Sequence, residues 1–167
     1  MIQHKVRKIV PQFTMKFIKE KKEFEIDIKH PNSIFFRFLI NASRIHWKDE
    51  FNRQTATSDD QQKKYIDNNR WNIAGPKLDL EKILEQKQHL INKIFSIGYL
   101  LHRYKDPSRP WCVFAMDNKI TESGESHGRS GKSLCYQTIR YFMKSVTLSG
   151  RNLKLTENPH VYDRVTE

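Results

Sequence analysis

The run Ser126-His127-Gly128-Arg129-Ser130-Gly131-Lys132-Ser133, together with what flanks it, constrains this chain more than any other feature. Ahead of it lies an apolar, β-prone stretch, Trp111-Cys112-Val113-Phe114-Ala115-Met116, and then a loop from Asp117 to Ser130. Behind it, residues from Gly131 to about Ser145 read as a helix, with Leu134 and Ile139 on the face turned toward a sheet. Strand, glycine-rich loop and helix in that order make a phosphate cradle. Inward-facing backbone N–H groups lead into a helix N-terminus, with glycine wherever positive φ or close approach is needed. Gly124, Gly128 and Gly131 supply such points, while Ser126 stands where the strict pattern has its first glycine. Lys132 then fits the ammonium that reaches β- and γ-phosphates, and Ser133 the hydroxyl that ligates magnesium. The expected cofactors are ATP and Mg2+, bound by Ser126, His127, Gly128, Arg129, Ser130, Gly131, Lys132, Ser133 and Leu134. The competing reading is a basic surface turn. Asp117 and Glu125 read as turn or solvation residues, and no catalytic residue is assigned.

Upstream, Phe13, Met15 and Phe17 alternate in one run and Phe24, Ile26 and Ile28 in another, with Lys19-Glu20-Lys21-Lys22 between them. That pattern predicts a charged β-hairpin over 13–28. Pro31 and Asn32 signal the start of a helix in which Ile34, Phe35, Phe38, Leu39, Ala42 and Ile45 recur at helical spacing, running to about Phe51. From Arg53 to Pro76 the composition turns to Thr, Ser, Asp, Gln, Asn and Lys, which reads as a long surface connection. Pro76 opens a further helix with a broad apolar stripe through Leu80, Ile83, Leu84, Leu90, Ile91, Ile94, Phe95 and Leu101, stopped by Lys105-Asp106-Pro107. Val146-Thr147-Leu148 is a candidate strand start, followed by a turn at 149–152 and a short strand or turn at 160–165. The expected fold is α+β to α/β: a basic hairpin-like segment (1–30), a helical region (31–106) with its polar connection at 53–76, and a partial P-loop NTPase core (107–167).

Thirty Lys and Arg against nineteen Asp and Glu give a formal charge of +11, which favours a polyanionic partner through counterion release. Nucleic acid is the leading candidate, with Arg37, Arg44, Arg53, Lys63, Lys64, Arg70, Arg103 and Lys105 as usable phosphate contacts. Phe13, Phe17 and Phe24 interleave with basic residues and would stack bases if exposed, but their alternating spacing favours a core. His46 and Trp47 read as a helix-end cap and a packing anchor. Cys112 and Cys135 have no partner motif, so neither a disulfide scaffold nor a zinc site is indicated. The apolar-rich stretch Leu90–Leu101 is interrupted by Asn92, Lys93 and Ser96, short of the roughly 20 residues a membrane span needs. Met1-Ile2-Gln3-His4-Lys5 leads into charged residues rather than a secretory leader, so the expected location is cytoplasmic, with no membrane partner.

The segments Trp111 to Asp117, Gly124 to Leu134, Leu148-Ser149-Gly150-Arg151-Asn152 and Tyr162-Asp163-Arg164-Val165-Thr166 resemble the helicase portion of phage- and mobile-element-type primase-helicases, within the superfamily 3 helicases. Phe35 to Trp47 and Gly98 to Lys105 resemble the helical region that precedes the ATPase core there. The resemblance implies an ATP- and Mg2+-binding fragment of a DNA helicase acting in replication, with single-stranded DNA as partner and a homo-oligomeric ring in the full-length protein. It also implies that the Walker B acids, sensor residue and arginine finger follow Glu167, so that this stretch binds nucleotide weakly and does not hydrolyse it. Two other classes stay open: a non-catalytic nucleic-acid-binding replication accessory with a vestigial phosphate loop, and a small P-loop nucleotide kinase.

Overall fold

A computed structural model describes residues 11–53, 58–102, 106–109, 111–116, 131–146 and 148, with the backbone alone at 51–53. The expected hairpin is present. Strands β1 (Phe13–Ile18) and β2 (Glu23–Ile28) pair antiparallel in the register Phe13↔Ile28 to Ile18↔Glu23. The turn closes with Lys22 N–H donating to Lys19 O at 3.3 Å and with Lys22 itself at φ 53, the left-handed region. The hairpin packs on helices: the Phe13 ring stacks on Phe36 at 5.0 Å and Phe24 meets Phe95 edge-on at 5.0 Å. Gln12 ties the hairpin to the next element, its carboxamide oxygen accepting from Ser33 N–H at 2.7 Å. The core expectation for the phenylalanines holds for Phe13, which is half-buried, whereas Phe17 remains exposed beside Phe24.

The helix expected to run unbroken to Phe51 is two helices, α1 (Ile34–Ser43) and α2 (Trp47–Arg53). Ser33 caps α1, its hydroxyl accepting from Phe36 N–H at 3.0 Å. The break has identifiable causes. Ser43 Oγ donates to Leu39 O at 2.8 Å, an internal bond that weakens the ladder. Arg44 then leaves helical geometry (φ −81, ψ 69), and the His46 N–H is taken at 2.9 Å by Gln86, a side chain 40 residues away.

The polar stretch 53–76 is corrected most. Residues 54–57 lie outside those described, but Asp59–Asn69 forms a helix, α3, rather than a surface connection. Ser58 caps it by accepting from Gln61 N–H at 3.4 Å, and Asp59 and Asp60 complement the helix dipole in the first turn. None of its residues is buried. Helix α4 (Leu80–Leu101) begins beyond Pro76, with Ile83 N–H donating to Asp79 O at 3.0 Å.

The chain divides into two compact units, Met1–Ser96 and Ile97–Glu167. In the first, Ile26, Phe36, Leu39, Ile40, Leu78, Leu90 and Ile91 form the core. Fully burying side chains such as Ile40 and Leu90 contributes about 1.5–3 kcal/mol each. Gln86 is equally buried, and its two ends serve two chain breaks: it accepts from His46 N–H and donates to Ile73 O at 2.7 Å. One turn further along α4, burial and the nearby Lys93 ammonium, with a smaller push from His46, hold the His89 imidazole below its ordinary value of 6.5 against the opposing pull of Glu85. A lowered folded pKa means that the unfolded chain takes up protons first on acidification. Stability contributed by neutral His89 is therefore present above pH 6.5 and is lost as the pH falls through the folded value. Urea titrations at pH 7.5 and 5.5 are expected to show a lower midpoint in acid, and His89→Gln is expected to shrink that difference.

In the second unit the described residues hold no strand. Trp111–Met116 carries no regular secondary structure and pairs with no strand among the described residues, and Trp111, Phe114 and Met116 are exposed. Its anchor is Tyr99, whose hydroxyl accepts from Trp111 N–H and donates to Trp111 O, each at 3.3 Å. The helix expected to reach Ser145 is shorter: α5 spans Lys132–Gln137 and tightens into a 3-10 turn over Thr138–Tyr141. Val146 and Leu148 do not form a strand, and Thr147 and residues 149–167 lie outside those described. The architecture shown is α+β, with one two-stranded antiparallel sheet among the described residues. No helix among them is long and apolar enough to cross a membrane.

Candidate functional site

Gly131 occupies the N-cap of α5 at φ 75, ψ 3, the left-handed conformation that glycine adopts without the Cβ penalty. It is the one glycine among the described residues with positive φ. Its carbonyl accepts from Cys135 N–H at 3.0 Å, which closes the first helical turn over Lys132, Ser133 and Leu134. Among the described residues no side chain caps the helix, and its first-turn N–H groups have no intrahelical acceptor. Lys132 and Ser133 are thus the first two helical residues, Lys132 half-buried and Ser133 exposed. Leu134, expected to face a sheet, is 53% exposed, and Ile139 is half-buried; Cys135 takes the inward position instead. Ser126, His127, Gly128, Arg129 and Ser130 lie outside the described residues, as do Asp117, Gly124 and Glu125.

The first turn of α5 thus presents one ammonium, Lys132, and one hydroxyl, Ser133. Among the described residues there is no group of three or more His, Cys, Asp or Glu able to hold a metal. Both cysteines are free thiols, Cys112 exposed and Cys135 buried.

A second set of chemistry-bearing residues lies in the first unit. Arg44 bridges the α1–α2 break: Nη2 meets Glu50 Oε1 at 2.9 Å and Nη1 donates to Asn69 O at 2.9 Å. Tyr65 Oη donates to the same Glu50 oxygen, so α3 is fastened to α2 by one buried carboxylate. Beside this knot opens a cavity of about 310 Å3 lined by Asn41, Arg44, Trp47, Tyr65, Ile66, Asn69 and Arg70. Trp47, expected as a packing anchor, is 52% exposed at its rim. His46 stands immediately before α2, its carbonyl accepting from Glu50 N–H at 3.1 Å, while its ring pairs with Glu85 at 2.5 Å. A neighbouring groove of about 520 Å3 carries Lys29, Arg37 and Lys87 against Asp27.

On the wall of the larger groove Trp71 holds two guanidinium groups, Arg37 at 5.0 Å and Arg70 at 5.7 Å from its ring centre. Of the basic residues singled out from sequence, the structure therefore brings Arg37 and Arg70 together and commits Arg44 to Glu50. The side chain of Arg53 and all of Arg103 and Lys105 lie outside the described residues. Trp71, Lys29 and Lys87 carry no sequence signal beyond the Arg70-Trp71 adjacency, because only the fold assembles them.

No family model, no curated protein and no solved structure matches the chain. The structure defines an α+β chain with a glycine-led helix start in one unit and a basic, tryptophan-bearing surface in the other.

Proposed function

We propose that this chain is the ATP-binding fragment of a DNA helicase of the primase-helicase kind, resembling superfamily 3. The observation that carries the reading is the left-handed Gly131 leading directly into Lys132 and Ser133 at the start of a helix. Lys132 provides the ammonium for the β- and γ-phosphates, the first-turn N–H groups provide dipoles, and Ser133 provides a ligand for Mg2+. When bound, Mg2+ neutralises phosphate charge. The +11 formal charge supports nucleic acid as partner.

The test is titration of a fluorescent ATP analogue with Mg2+ into the chain. Lys132→Ala is expected to weaken binding about tenfold or more, as loss of a charge-assisted contact worth roughly 1.5–3 kcal/mol implies. Ser133→Ala is expected to remove the Mg2+ dependence while sparing Mg2+-free binding. Equal affinities for wild type and Lys132→Ala would sink the reading.

The second reading, a non-catalytic nucleic-acid-binding accessory with a vestigial phosphate loop, draws on the Trp111–Met116 segment, which pairs with no strand among the described residues, and on the six-residue length of α5. It predicts DNA binding that Mg-ATP does not change.

A further inference from the structure

Lys29, Arg37 and Lys87 reach the larger groove from three different places: the end of β2, helix α1 and helix α4. Among the described residues no carboxylate stands within 4.0 Å of any of the three, although Asp27 lines the same groove. The Arg37 Nε is anchored to Pro31 O at 2.5 Å, which fixes the guanidinium over Trp71 without neutralising it. Arg70 lies on the same indole and has only a long, exposed pairing with Asp67 at 4.0 Å, worth little in water. Cation–π contact orients both charges and leaves them positive.

Arg70 also lines the smaller cavity, so positive charge continues from one concavity to the other. The smaller cavity differs in character. It offers the exposed indole of Trp47 and the side-chain carboxamides of Asn41 and Asn69, a flat apolar face beside amide donors and acceptors. An aromatic platform at one end and successive unpaired cations along the rest match a chain of bases and phosphates rather than one phosphate.

We propose that the first unit carries a track for single-stranded polynucleotide. In it a base stacks on Trp47, and the following phosphates pass Arg70 and Arg37 into the groove between Lys29 and Lys87. This rests on the nucleic-acid part of the proposed function and is independent of nucleotide binding at Lys132.

The test uses the whole chain and fluorescence anisotropy of labelled oligothymidylate and oligouridylate of roughly 20 nucleotides, across a salt series. Wild type is expected to bind at least one of them with steep salt dependence, the tighter one naming DNA or RNA as the source. The double variant Lys29→Glu/Lys87→Glu is expected to lose about tenfold or more and to flatten the log–log salt slope by about 1.4, two phosphates' worth. Lys29→Gln/Lys87→Gln should lose less in the same direction, and thermal melts by circular dichroism should match wild type for both. Trp47→Ala is expected to weaken binding roughly 5- to 100-fold, with Trp47→Phe retaining most of it. Lys132→Ala should leave oligonucleotide affinity unchanged, so failure of the nucleotide-site reading and failure of this track are distinguishable. Unchanged affinity in folded Lys29→Glu/Lys87→Glu and Trp47→Ala would overturn the proposal. So would tighter binding of duplex than of single strand, or full displacement by millimolar inorganic phosphate.

Discussion

Glu50→Ala is expected to cost the first unit about 3–5 kcal/mol, because it strands the Arg44 guanidinium without its counter-charge. Glu50 is fully buried on α2 and serves two partners at once, Arg44 from the α1–α2 break and Tyr65 from α3. Removing the carboxylate releases α3, which buries no residue of its own and has few other attachments. Arg44 Nε and Glu50 Oε2 are buried and have no hydrogen-bond partner among the described residues, so the pair already carries a desolvation cost. A matched apolar replacement, Arg44→Met with Glu50→Leu, is accordingly expected to recover most of the loss. Tyr65→Phe should cost only about 1 kcal/mol, one hydrogen bond. Urea-induced unfolding followed by tryptophan fluorescence measures all three variants, and a Glu50→Ala penalty below about 1 kcal/mol would show that the pair is not buried in solution. Burial and the Glu50 carboxylate also push the Tyr65 hydroxyl well above its ordinary value of 10.0. A raised folded value means this contribution is intact below pH 10 and declines as the pH rises toward the folded value.

The same residues show why the helical lead-in was legible only in part. The hairpin Phe13–Ile28 and helix α4 announce themselves because their apolar residues repeat at the period of the element they form. The break at Arg44 is invisible to that logic, since the apolar spacing continues through Ile45 while the interruption depends on Gln86, Glu50 and Asn69, which are distant in sequence. Helix α3 has only Tyr65 and Ile66 as apolar side chains and is held by Tyr65 and the Asn69 carbonyl, so no apolar period announces it. Trp111–Met116 fails in the opposite sense: it has strand propensity, but a strand is a property of a ladder, and no described residue supplies the neighbouring rung. At the candidate nucleotide site, Gly131, Lys132 and Ser133 stand at a helix start as the sequence implies, because a glycine at positive φ before a short apolar period is a local signal. The basic track was legible residue by residue at Arg37 and Arg70 but not as a surface, for want of any local pattern linking Lys29, Trp71 and Lys87.

Gly75→Ala is expected to be as damaging as loss of Glu50, and for a reason unrelated to backbone freedom. Gly75 lies in the link between α3 and α4 and does not have positive φ, so an alanine there meets no conformational penalty. A Cβ built at the position instead lands on Tyr65 Oη and Glu50 Oε1, closer than real atoms approach. Those two atoms are not the free ends of solvent-exposed chains; they are bonded to each other, and Glu50 is further held by Arg44. Making room therefore requires parting Tyr65 from Glu50 or lifting the link off α2. Either change sacrifices the attachment of α3 and displaces Ile73, whose carbonyl accepts from the buried Gln86. Overpacking of this kind costs about 1–3 kcal/mol, and loss of the buried pair geometry adds to it. Gly98→Ala provides the control: it is an exposed glycine inside α4 with nothing within 4 Å of the added carbon. There the substitution is expected to stabilise by about 0.5–1 kcal/mol through helix propensity alone. Opposite shifts of the urea midpoint for the two glycine-to-alanine changes are the expected result. Equal, small shifts would mean that the link stands off from the Arg44–Glu50–Tyr65 knot in solution, and with it the cavity wall that places Trp47 and Asn69 side by side.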